Sequence, residues 1–205
     1  MKQVNKSHYN FSKYSHPERW ASYYYQIKEV LDLNPKNILE VGVGDKVFGE
    51  YFKNNTNLIY QSLDTAEDLS PHIIGDILNI PIENNKFDVV CAFEVLEHLP
   101  FNKFEEALAE LGRVSKKFVV ISLPHFGPPI KFMIKIPFLP EMKFAFKIPF
   151  YQKHTFNGEH YWELGKKDYS VSNILKILNK NFGILKHFVP FENQYHHFFI
   201  LKKNI

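Results

Sequence analysis

Apolar residues along this chain follow two rhythms that alternate from about residue 17 onward. Pro17 suits the first turn of a helix, and Trp20, Tyr23, Tyr24, Ile27, Val30 and Leu31 recur at helical spacing to about Leu33. Asn34-Pro35-Lys36-Asn37 ends that helix. The pattern then predicts a strand from Ile38, a helix over about 46–53, a strand over 58–64 and a short strand at 72–75. A polar turn at 83–86 leads into a strand over 87–93, and a helix over 101–114 carries Phe104, Leu108 and Leu111 on one face. A fifth strand over 118–123 stops at Pro124. A further helix spans 170–182, and two last strands fit 184–191 and 197–202. Strands alternating with helices predict an α/β fold with a mostly parallel sheet covered on both faces.

Two stretches depart from the alternation. Residues 1–16 are polar and aromatic with no clear period. Residues 126–160 carry Pro128, Pro129, Pro137, Pro140 and Pro149, with Lys131, Lys135, Lys143, Lys147 and Lys153 among apolar residues. Proline this dense forbids one long helix, and a long segment without regular structure is more often a working lid than a passive loop.

Candidate chemistry gathers where the predicted strands end. The first strand runs Ile38-Leu39-Glu40-Val41-Gly42-Val43-Gly44, the second closes on Asp64, Gly75-Asp76-Ile77 follows, and the fourth ends at Phe93-Glu94. A strand, a glycine turn and an acid closing the next strand form a nucleotide half-site: the turn admits a ligand to the backbone and the acid accepts from ribose hydroxyls. In such sheets ligands lie outside the carboxyl ends of the strands, so one shared pocket is expected. A nicotinamide-dependent dehydrogenase shares these features, but its third glycine is here Val47.

Composition narrows the reading. At 205 residues one domain is expected, residues 1–205, with 1–35 as an N-terminal helical flap and 126–160 as a lid on the substrate side. Net charge is +3, which gives no global case for nucleic acid, and DNA is not an expected partner. The single cysteine, Cys91, excludes an intrachain disulfide and fits a reducing compartment. The polar start is unlike a signal peptide, and no apolar run approaches the roughly 20 residues that span a bilayer. A cytoplasmic location is expected. Aromatic and basic residues interleaved over 126–153 add the expectation of peripheral contact with an anionic membrane.

Taken together, the 38–44 run, Asp64, Gly75-Asp76-Ile77, Phe87-Asp88-Val89-Val90 and Glu94-Val95-Leu96-Glu97-His98-Leu99-Pro100 resemble the class I S-adenosylmethionine-dependent methyltransferases, in the small-molecule branch that includes ubiquinone-pathway enzymes. The resemblance covers about 36–125 through its motifs. It implies a Rossmann-like, doubly wound, seven-stranded sheet with a C-terminal antiparallel strand and a Pro/aromatic-rich insertion. It implies S-adenosylmethionine as cofactor and methyl transfer to an O, N or C nucleophile on a small or carrier-linked acceptor. Glu40, Gly42 and Gly44 would floor the methionine part, where a side chain at either glycine would collide with it. Asp64 would hold the ribose, Asp76 and the Ile77 backbone the adenine, and Phe93 and Glu94 the sulfonium end. A third glycine common in the family is here Lys46.

On the acceptor side, His98 is a candidate general base, its ordinary pKa suiting proton removal. Some relatives bind a divalent metal through such a Glu-x-x-Glu-His run, so Glu94, Glu97 and His98 are an alternative ligand set, completed by His125 or His160. The competing reading has Glu97 and His98 capping a loop. The Gly158–Gly165 segment resembles a substrate-side segment, which makes His160, Tyr161 and Trp162 candidate substrate residues, and His125, just ahead of the lid, is a further candidate; core packing explains Trp162 equally well. An inactive methyltransferase-fold binding subunit and an enzyme acting on RNA remain as other readings.

Overall fold

The computed structural model describes residues 6–150 and 152–204; residues 1–5 of the expected flap and Tyr151 of the expected lid lie outside the described residues. The first half of the chain forms α1 (Phe11–Tyr14), α2 (Pro17–Asp32), β1 (Asn37–Val41), α3 (Val47–Asn55), β2 (Ile59–Asp64), β3 (Ile73–Ile74) and β4 (Phe87–Phe93). It continues through α4 (Phe104–Val114), β5 (Ser115–Pro124), β6 (Pro129–Ile134), β7 (Met142–Lys147), α5 (Val171–Asn181), β8 (Phe182–Phe188) and β9 (His196–Lys203). Seven strands make one sheet in the order β3-β2-β1-β4-β5-β9-β8. β1 to β5 are parallel, and β9 runs antiparallel to both its neighbours, β5 and β8. This is the Rossmann-like, doubly wound seven-stranded sheet that the sequence implies. The chain steps outward from β1 to β3, then returns to β4 on the other side of β1. Strand order therefore reverses between β1 and β4, and a crevice opens at their carboxyl ends.

Alternation along the central strands divides the core. Ile38, Val89, Cys91 and Val120 meet Val30 of α2 and Phe48 and Phe52 of α3 on one face. Leu39, Val90, Ala92 and Val119 meet Phe104, Leu108 and Leu111 of α4 and Ile174 and Leu178 of α5 on the other. Near-continuous apolar strands are what burial on both faces requires. Among the described residues no helix is long and apolar enough to cross a membrane.

Four features differ from expectation. β5 follows α4 directly at Ser115 rather than starting at 118, and β8 likewise follows α5 at Phe182. On α2, Trp20, Tyr24 and Leu31 are exposed while Ser22, Gln26 and Glu29 are buried. Tertiary partners override the apolar stripe: the Asn193 side chain donates to Ser22 Oγ at 2.8 Å, and Lys186 pairs with Glu29 at 2.7 Å. Most of the expected lid is an antiparallel hairpin, β6 paired with β7 from Pro129↔Lys147 to Ile134↔Met142. Proline does not prevent it. Pro129 is the first residue of its strand, and Pro137 and Pro140 lie in the connecting tip, positions where a missing N–H costs no ladder bond.

Candidate active site

The crevice is a cleft of about 600 Å³ lined by Gly42, Gly44, Asp64, Asp76 and Ile77 on one side and by Phe93, Glu94, Glu97, His98, His160 and Tyr161 on the other. Gly42 has φ +84, its N–H donates to Leu63 O at 2.8 Å, and a Cβ there would stand 2.4 Å from Val95 Cγ2. The neighbouring loop therefore requires a glycine at 42 irrespective of any ligand in the cleft. At Gly44 an added Cβ would come no nearer than 3.8 Å, to Tyr9 Cε1, so the backbone there is open to a ligand. Asp64 closes β2 with both oxygens held: Oδ2 accepts the Val43 N–H at 2.9 Å and Oδ1 the Ala66 N–H at 2.8 Å. Each oxygen keeps a second lone pair for a hydroxyl. Asp76 is exposed at the rim, and its Oδ1 accepts the Leu78 N–H at 2.9 Å. Arg113 fixes the loop beyond Ile77 by donating to the carbonyls of Ile80 and Ile82 at 2.8 and 2.7 Å.

The far end of the cleft concentrates buried charge. Glu94, just past β4, adopts φ 53, a left-handed conformation uncommon for a side-chain-bearing residue. Glu97 is wholly buried. Among the described residues neither oxygen of Glu97 nor Oε1 of Glu94 has a hydrogen-bond partner. Burial pushes the Glu94 carboxyl up to about 7. Burial, and then the adjacent Glu94, push the Glu97 carboxyl well above the ordinary carboxylate range. The Nε2 atoms of His98 and His160 each lie 4.0 Å from Glu97 Oε1. The other ring nitrogens are tied back: His98 Nδ1 to the Glu159 carbonyl and His160 Nδ1 to the Glu163 carboxylate, both at 3.0 Å. Burial lowers the His98 pKa and keeps that ring neutral. Ligand atoms of Glu97, His98 and His160 all fall within 4.8 Å of one another. Ligands about 2.1 Å from a central cation lie roughly 3–4 Å apart, and metal-binding imidazoles commonly donate their second N–H to a carbonyl or carboxylate. The donor set and its unpartnered oxygens fit a divalent cation.

Several expected residues lie elsewhere. Glu40 is buried beneath the sheet end, where it accepts from the Tyr60 hydroxyl and does not line the cleft. Burial raises its carboxyl to about 8, with Tyr60 pulling the other way. Strand alternation explains the correction: Glu40 shares a face with Ile38, toward α3. Trp162 is fully buried against Phe101, Phe104 and Tyr169, so it is a core residue and not a substrate contact. His125 stacks on His197 and faces a separate cavity, so it does not join Glu97; His160 does. Phe93 lines the cleft and also packs on Phe48. The cleft is roofed by residues that no motif marked. His8, Tyr9, Tyr14 and Arg19 come from the N-terminal segment, and Tyr195 and His196 from the start of β9. Tyr9 packs on Val43, Ala66 and Leu69, and Arg19 lies 4.1 Å from the centre of the Tyr14 ring. Their one sequence signal was the density of Tyr and His in a stretch without periodicity. Among the described residues of 126–160, only Phe156 and residues 158–160 line the cleft; the β6–β7 hairpin does not.

Known proteins agree with this geometry. Residues 39–121 match a family model described as a methyltransferase domain. An S-adenosylmethionine-dependent methyltransferase from Clostridium acetobutylicum superposes with a TM-score of 0.60 at 11% identity, over 93% of each chain. The 1,6-didemethyltoxoflavin-N1-methyltransferase of Burkholderia thailandensis, solved with 1,6-didemethyltoxoflavin and S-adenosylhomocysteine, gives 0.59 at 11% identity, over 93% of this chain and 92% of that one. The small RNA methyltransferase HEN1 gives 0.65 at 13% identity, over 91% of this chain and 25% of that one. No curated protein matches the sequence significantly. Residues 39–121 thus match a methyltransferase domain, and the chain as a whole has the fold of S-adenosylmethionine-dependent methyltransferases.

Proposed function

We propose that the protein binds S-adenosylmethionine and transfers its methyl group to an O, N or C nucleophile on a small or carrier-linked acceptor. One observation carries the reading: a single cleft joins Asp64, the Gly44 backbone and Asp76-Ile77 at one end to a buried carboxylate–imidazole cluster at the other. Asp64, oriented by two backbone N–H groups, accepts from the ribose hydroxyls. Asp76 accepts from the adenine amino group at the rim. Phe93 and Glu94 border the sulfonium, which supplies an already activated methyl. Catalysis then rests on placing the nucleophile in line and removing its proton.

Glu97, His98 and His160, with Glu94 beside them, would hold a divalent cation that orients an acceptor oxygen or nitrogen and acidifies it. With no cation, the His98 Nε2 lone pair serves as proton acceptor, since its Nδ1 is committed to Glu159. His160 and Tyr161 face the acceptor space.

Calorimetry and thermal shift test both parts. Wild type should bind S-adenosylhomocysteine, and Asp64→Ala should weaken it by about a hundredfold, the loss of two hydrogen bonds to a charged group at roughly 1.5 kcal/mol each. Equal affinity in the two proteins would refute the site. Manganese should raise the melting temperature of wild type and not of Glu97→Gln; the same shift in both would remove the cation.

A further inference from the structure

We propose that the β6–β7 hairpin docks the protein on an anionic lipid bilayer, apolar face down. The hairpin is two-sided. Cross-strand pairs Ile130–Phe146, Phe132–Phe144 and Ile134–Met142 make one face wholly apolar. Lys131–Ala145, Met133–Lys143 and Pro129–Lys147 make the other face basic. An ordinary surface hairpin turns its apolar face inward and its lysines to water. Here the basic face meets the domain. Lys131 and Lys143 lie 5.1 and 5.4 Å from the centre of the Phe191 ring. Lys143 also pairs with Glu192 at 2.7 Å, and Lys147 donates to the His125 carbonyl. The apolar face is left to solvent: Phe132, Phe144 and Phe146 are each more than half exposed.

The connecting tip extends that surface. Ile136-Pro137-Phe138-Leu139-Pro140 carries no charge, and Phe138 is fully exposed at φ 67. Two prolines stiffen it, so the tip protrudes without the freedom to fold back. Contiguous apolar surface of this extent on a soluble domain marks a contact with a protein or a membrane.

Charge selects the bilayer. Between residues 129 and 150 stand Lys131, Lys135, Lys143 and Lys147 against the single acid Glu141. Lysine is depleted in protein–protein interfaces, whereas lysines bordering an apolar wedge suit anionic headgroups, reached along their aliphatic stems. Lys135 is exposed in the tip, and Lys131 is exposed along the β6 edge beside its contact with Phe191, so both border the apolar face as it settles into the boundary between headgroups and acyl chains. A second copy stacked on the same face would bring two lysine borders together and leave Phe138 uncovered.

Docking needs neither cofactor nor acceptor, so its failure leaves the proposed methyl transfer untouched. The test is co-sedimentation of the full chain with vesicles of phosphatidylcholine alone or with phosphatidylglycerol. Binding is expected to anionic vesicles, to weaken with salt, and to fall at least tenfold in Phe138→Ser/Phe144→Ser and in Lys131→Glu/Lys135→Glu. These side chains are exposed, and unchanged circular dichroism and melting temperature check that the variants fold. Absence of binding, binding that the variants leave unchanged, or a dimer in sedimentation velocity that the Phe variant alone breaks would each overturn the proposal.

Discussion

Two of the left-handed, side-chain-bearing residues, Lys46 and Glu94, follow the ends of the first and fourth strands. Lys46, at the N-terminus of α3, adopts φ 70, where only glycine avoids a steric penalty, and it occupies the position at which the resembling family often has a third glycine. The turn geometry is thus kept without the residue that suits it. Lys46→Gly is expected to stabilise the chain by about 0.5–1 kcal/mol, the relief of left-handed strain less the added freedom of the unfolded chain. Urea unfolding measures this, and a destabilised variant would contradict the local account. Glu94 shares the left-handed conformation but lines the cleft, so its strain is tied to the direction in which its carboxylate points.

At the scale of elements, β5, β9 and β8 are joined by a ladder of imidazoles. His187 Nδ1 lies 3.0 Å from His197 Nε2, and His197 Nδ1 lies 3.1 Å from His125 Nδ1. Burial, then the neighbouring His125 and His187, depress the His197 pKa to about 2. A ring neutral in the fold but free to protonate when unfolded contributes stability above its ordinary pKa of about 6.5 and loses it as pH falls below that. By pH 5 the loss from this one ring is about 2 kcal/mol. Glu40, held protonated up to about 8, acts in the opposite sense, so a comparison of two chains isolates the ring. His197→Phe keeps the stacking on Phe199 and removes the titration. The stability difference between pH 8 and pH 5 should shift by about 2 kcal/mol relative to wild type. Parallel pH profiles would show that the ring titrates normally.

The whole molecule closes the cleft with segments far apart in the chain. The N-terminal segment roofs it through Tyr9, Tyr14 and Arg19, and the edge-to-face contact of Tyr9 with Tyr14, at 4.9 Å between centroids, links that roof to the cofactor side. Its stability comes from a few aromatic contacts, each worth about 0.5–1.5 kcal/mol, so the segment contributes to binding more than to folding. Removing residues 1–15 should raise the Kd for S-adenosylhomocysteine about tenfold, equivalent to roughly 1.4 kcal/mol, and leave the main unfolding transition in place. Unchanged affinity would mean that the roof is incidental. The sheet needs no such closure, because its two apolar layers pack on α2 and α3 and on α4 and α5.

Local rules settled the strands, the helices and the residues at the strand ends, because periodicity and turn chemistry act over a few neighbours in the chain. Gly44, Asp64, Asp76, Ile77 and Glu94 reach one cleft for that reason: parallel strands carry their carboxyl ends to the same edge. Alternation also held the place of Glu40, on the face of Ile38 and outside the cleft lining. Packing alone decided that His160 meets Glu97 and His98 while His125 stacks on His197, since either choice satisfies the same spacing. It decided as well that Trp162 fills the core, that Tyr9 and Arg19 roof the cleft, and that the lysine-bearing face of the hairpin strands lies against Phe191. Those outcomes depend on which surfaces are left to be covered once the sheet has formed, a property of the assembled layers that no short stretch of sequence carries.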